Sequence, residues 1–161
     1  MLNLRDSFLL ITTIFLSIYL TTHFYFYTNV KNYTNKDIMR HTMGNILIIL
    51  GFLKLVNLNG FAEVFSKYDI IANNIGLYAY LYPFLEIYLG FALLKGYKLD
   101  TIYYTIIVIM SVSIVSVSIS MSKGVQLRCG CIGSIFHIPL SYVTLSENLV
   151  MIIMSYLLLK N

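Results

Sequence analysis

Five stretches of this chain, at 8–27, 41–58, 72–94, 101–121 and 140–159, are mostly apolar and run for roughly the thickness of a bilayer. A helix needs about 20 such residues to cross the hydrocarbon core. Lipid offers the backbone no hydrogen bonds, so a chain crosses it only as a helix or within a closed barrel. The fourth run alternates as a strand does, in Ser111-Val112-Ser113-Ile114 and Val115-Ser116-Val117-Ser118. A lone strand within about 20 apolar residues has nothing to pair with, however. The chain is therefore read as all-α, a polytopic membrane bundle of five helices. Composition closes the alternatives: 58% of the 161 residues are hydrophobic and 11% are charged. A soluble domain carries about 25% charged residues, and a small globule needs them to cover its surface. Disorder requires the opposite balance. The connecting loops leave no room for a separate soluble domain, and no internal repeat is visible.

The formal net charge of +4 comes from 11 Lys and Arg spread singly, mostly at the ends of apolar runs. No basic patch with interleaved aromatics is present, which argues against nucleic-acid binding. Five spans put Arg5, Lys67, Lys123 and Arg128 on one side and Lys31, Lys36, Arg40, Lys95, Lys98 and Lys160 on the other. The richer set is expected in the cytoplasm. The first run is expected to stay uncleaved, since it is long for a signal peptide and Thr21-Thr22-His23-Phe24-Tyr25 is no small-residue cleavage site. In the second run Lys54 is expected to snorkel to an interface. The connector 59–71 reads as a short interfacial helix with Phe61, Val64 and Phe65 on one face. Tyr25, Tyr27, Tyr82, Tyr103 and Tyr104 fall near span ends, as an aromatic belt would. Ser116 with Ser120 and Ser118 with Ser122 have the spacing of close helix packing.

Reactive chemistry concentrates in Cys129-Gly130-Cys131, which holds both cysteines of the chain in the loop 122–139. The adjacent Arg128 favours the thiolate, the form that attacks disulfides and binds soft metals. A disulfide across one intervening residue closes a small ring away from relaxed geometry, which makes it easier to reduce. Thiol–disulfide exchange by Cys129 and Cys131 is the leading reading. A second reading has Cys129, Cys131 and His137 hold Cu(I) or Zn(II), with Met121 as a further Cu(I) ligand. The third is two thiols without a role. Glu86, inside the third run beside Pro83, needs a partner, for which Lys54 and Asn45 are candidates. It serves either as a clasp between helices or as part of a proton path. Glu147 and Asn148 invite the same choice, with Glu147 about two turns from Pro139 and the cysteine loop. His41 and His137 lie near span boundaries, where a solvated or capping role is the ordinary one. No catalytic triad, phosphate loop or metalloprotease pattern occurs.

The sequence Arg128-Cys129-Gly130-Cys131-Ile132-Gly133, followed by Pro139-Leu140-Ser141 and Glu147-Asn148, resembles the end of MauE-like proteins, part of the DoxX-like group of small redox-associated membrane proteins. Gly51-Phe52-Leu53-Lys54-Leu55, the Phe61 to Tyr68-Asp69 connector, and Tyr82-Pro83-Phe84-Leu85-Glu86 with Gly90 are similar to further family motifs, in order. Departures are Ile132 for Phe, Tyr142 for Trp and Glu147 for the Arg that precedes Asn148. The resemblance, over about 40–159, implies a four-helix core at 40–161. The segment 1–39 then adds one transmembrane helix and a polar loop. It also implies a bacterial inner-membrane protein that supports maturation of the methylamine dehydrogenase small subunit outside the cytoplasm. Exchange by two thiols would need a quinone or a second dithiol protein to carry the electrons.

Overall fold

The computed structural model describes residues 12, 16, 17, 19, 20 and 23 and the segments 34–122 and 140–160. The described chain forms helices and no strand: α1 (Asn35–Val56), α2 (Leu58–Tyr68), α3 (Ile70–Asn74), α4 (Gly76–Lys95), α5 (Leu99–Ser122) and α6 (Leu140–Lys160). Among the described residues, α1, α4 and α5 are long and apolar enough to cross a membrane. The strand-like alternation at 111–118 lies wholly inside α5.

Local chemistry sets the helix ends. Thr34 and Asp37 form a capping box, in which the Thr34 backbone N–H donates to Asp37 Oδ2 (3.1 Å) and the Thr34 hydroxyl caps the Asp37 N–H. This box starts α1 six residues ahead of the expected run. Asn57 ends α1 and, by accepting from the Gly60 N–H (3.1 Å), starts α2. Asp69 then accepts from Ile71 and Ala72 N–H groups (3.0 and 2.9 Å) and starts α3. The run expected to cross from Ala72 is broken at Ile75, so the span begins at Gly76. α4 stops at Gly96, whose φ of +70° suits a residue without a Cβ.

α1 packs chiefly on α4, and α5 on α6. The first pair crosses at Gly44 and Gly90. A Cβ on Gly90 would lie 2.7 Å from the Gly44 carbonyl oxygen, and one on Gly44 would lie 2.9 Å from that of Gly90. Small residues thus let two backbones touch, where lipid provides little hydrophobic drive for helix association. Ser113, Ser116 and Ser120 of α5 are buried, and Asn148 of α6 donates to Ser113 Oγ at 2.9 Å. Ser116 and Ser120 therefore sit in packing as expected. Ser118 and Ser122 do not: they face outward and return their hydroxyls to the Ile114 and Ser118 carbonyls. Ser17, fully buried, donates to the Thr42 carbonyl (3.0 Å) and seats the first run against α1.

The interior has two parts. Met43, Leu47, Leu93, Ile106, Met110 and Met151 form an aliphatic core. Phe61, Phe65, Tyr68, Tyr82, Ala79 and Val117 form an aromatic one. Outward faces carry Leu81, Phe84, Tyr88, Val108 and Val115, whereas Glu86, Ser113 and Asn148 are buried. Apolar outside and polar inside is the arrangement of a bundle in lipid. Tyr82 and Tyr103 are buried, so neither belongs to an aromatic belt, while Tyr104 is exposed. Tyr25 and Tyr27 lie outside the described residues.

Candidate functional site

The one cross-bundle ion pair among the described residues joins Lys54, in the last turn of α1, to Glu86, in the middle of α4. Both carboxylate oxygens accept from the Lys54 ammonium. Glu86 is 3% exposed and the Lys54 side chain 11%. Lys54 therefore does not snorkel outward. Of its two candidate partners, Glu86 takes Lys54. An isolated charge at this depth would cost several kcal/mol or more, and pairing removes most of that penalty.

The surroundings of the pair are aromatic. The Lys54 ammonium nitrogen stands 5.0 Å from the Tyr82 ring centroid and 5.7 Å from that of Phe61. Tyr82 lies one turn before Glu86 on the same face of α4. Phe65 packs on Phe61 and Tyr82 with centroids 5.0 and 4.7 Å apart, and Tyr78 meets Tyr82 edge-on at 5.8 Å. The connector expected at an interface is what supplies this cover. α2 buries Phe61 and Phe65, with Val64 half-buried beside them. Ser116 of α5 accepts from the Ile70 N–H (3.2 Å) and ties the connector down. On the outer face of α2, Lys67 donates to Glu63 (2.7 Å) and holds that carboxyl below its usual range. Both side chains are exposed, so this pair contributes little to stability.

Met121, in the last turn of α5, and Leu145, in the second turn of α6, pack against the same aromatic cluster. The chain thus leaves the described structure at Ser122 and re-enters it at Leu140 on the end where α2 and α3 lie. Arg128, Cys129, Cys131 and His137 fall between, outside the described residues. Glu147 is half-buried in α6, next to the Asn148 that clasps Ser113. His41 is buried within α1, so of the solvated and capping roles expected for it the solvated one does not hold. No group of three or more His, Cys, Asp or Glu among the described residues could hold a metal ion.

Sequence reasoning missed Tyr82 and Phe61 as the walls around Lys54, and Ser113 as the partner of Asn148. For Tyr82 a signal existed, since it precedes Glu86 by four residues and so shares its helix face. For Phe61 and Ser113 none did, because each contact joins different helices.

The family model described as "Methylamine utilisation protein MauE" matches residues 7–160. The chain belongs to the MauE family. The match takes in the apolar run 8–27 as well as the range that carries the motifs. No curated protein and no solved structure matches the chain. Membership in the MauE family, together with the apolar spans, makes this an integral membrane protein. The Gly-x-x-Lys and Pro-x-x-Glu motifs, separate in sequence, are the two halves of one buried ion pair.

Proposed function

We propose that this MauE-family membrane protein exchanges disulfides with a partner protein outside the cytoplasm, through Cys129 and Cys131. In its oxidised form the pair is attacked by a partner thiolate, which breaks the Cys129–Cys131 bond and forms a mixed disulfide. A second partner thiolate releases it, so the partner gains a disulfide and the pair takes up two electrons and two protons. A quinone or the disulfide of a second dithiol protein restores the pair. The methylamine dehydrogenase small subunit is the partner class that family membership favours, in a bundle of five spans with the four-helix core at 40–161. The observation that carries the reading is the placement of both cysteines one residue apart beside Arg128, in the one long polar loop near the chain's end. The charge asymmetry of the loops supports a position outside the cytoplasm, where disulfides persist.

The test is trapping in intact cells. With Cys131→Ser, Cys129 should hold a mixed disulfide with a partner, and a membrane-impermeant thiol reagent should label Cys129 from outside. The reading fails if neither single variant traps a partner and the wild-type thiols never oxidise. Copper retained under reducing conditions, and lost in the double Cys→Ser variant, would replace exchange by soft-metal handling. A double variant that behaves as wild type would leave a purely structural assembly role.

A further inference from the structure

We propose that Glu86, with Lys54 and the flanking Tyr82 and Phe61 rings, forms a proton-binding site within the membrane. The site goes beyond disulfide exchange and stands whether or not the cysteines react. Packing alone does not require the pair. The Gly44–Gly90 crossing and the aliphatic core already hold α1 to α4. Apolar side chains of similar volume often replace a buried ion pair at no cost.

The surroundings suit a carboxylate that changes protonation. With Glu86 ionised the pair is neutral, and a proton on Glu86 leaves the Lys54 ammonium without its counter-ion. That ammonium does not then lose all its partners, because the Tyr82 and Phe61 rings flank it at 5.0 and 5.7 Å. Ring faces attract a desolvated cation. The rings therefore hold the protonated state that an aliphatic wall would forbid.

Tyr78, Tyr82 and Glu86 are spaced by four on one face of α4. The Tyr82 ring lies 5.8 Å from that of Tyr78, and Tyr78 is half-buried. The titratable groups facing the site are Lys54 from α1, Tyr68 from α2, Asp69 between α2 and α3, and Tyr78 and Tyr82 from α4. α5 and α6 present the apolar Val117 and Leu145. Asp69 is held in place by the Ile71 and Ala72 N–H groups.

Infrared difference spectra of the full chain in lipid vesicles after a drop in pH test the proposal. A carboxylic C=O band should appear, shift in D2O, and vanish in Glu86→Gln. Because Glu86→Gln strands the Lys54 charge, the assignment is repeated in the Lys54→Met/Glu86→Gln double variant, which buries no charge. With Phe61 and Tyr82 both replaced by Leu, the band should appear only at a lower pH, by about one unit. The site is excluded if no band forms while the helices stay intact. A band that survives both Glu86 variants, or an onset pH unchanged in the Leu variant, overturns it equally.

Discussion

The two halves of the interior solve different problems with different residues. Toward the α4–α5 turn, α1 and α4 meet through glycine backbones and Met, Leu and Ile side chains, with Arg40 held by Asp37 at 3.0 Å. Toward the α2–α3 connector, the same two helices hold a charged pair under five aromatic rings. The first half is what helix association in lipid requires. The second carries more polarity than packing needs, and it is the half from which the chain departs toward the cysteine loop. The contrast separates scaffold from chemistry within one pair of helices.

Substitutions should break the halves in distinct ways, from the largest effect to the smallest. Lys54→Met strands the Glu86 carboxylate and should cost about 3–5 kcal/mol, read by reversible unfolding in bicelles. Gly90→Leu drives a side chain against the Gly44 carbonyl and should cost roughly 1–3 kcal/mol as α1 and α4 part. Its cysteine chemistry should return when the protein is refolded at lower temperature, since no reactive group is touched. Asn148→Leu removes the bond to Ser113 and should cost about 0.6 kcal/mol, the mean for such bonds between membrane helices. Ser118→Ala should change stability by less than about 0.5 kcal/mol, because its hydroxyl faces outward and serves only its own helix. A cost for Ser118→Ala equal to that for Asn148→Leu would contradict the orientation of α5.

Much of this was legible in the sequence, for physical reasons that also mark the limits. Apolar length shows a span, so α1, α4 and α5 stand where runs were expected. Intramembrane charge demands a partner, so Glu86 stands out in the sequence with Lys54 and Asn45 as its candidates. Hydropathy does not register the break at Ile75, an apolar residue inside an apolar run, so the third run reads as one span from Ala72 although α4 begins at Gly76. Nor does it distinguish an interfacial tyrosine from one turned inward, since both sit near a span end. Tyr82 therefore reads as a belt residue although its ring flanks Lys54. The snorkelling expected of Lys54 treated its charge as bound for water. The nearer counter-charge on α4 decided otherwise, and only the crossing of two helices reveals it.

The most direct test of the account is a double-mutant cycle on Lys54 and Glu86, measured by reversible unfolding in bicelles. The pair is described as one buried unit whose members are costly apart and dispensable to packing together. Lys54→Met and Glu86→Leu should each destabilise by about 3–5 kcal/mol, and the double variant should fall within about 1 kcal/mol of wild type or above it. Additive losses, with the double variant as unstable as the two single costs summed, would mean that the two residues do not meet. The division of the interior into scaffold and charged site would then fall.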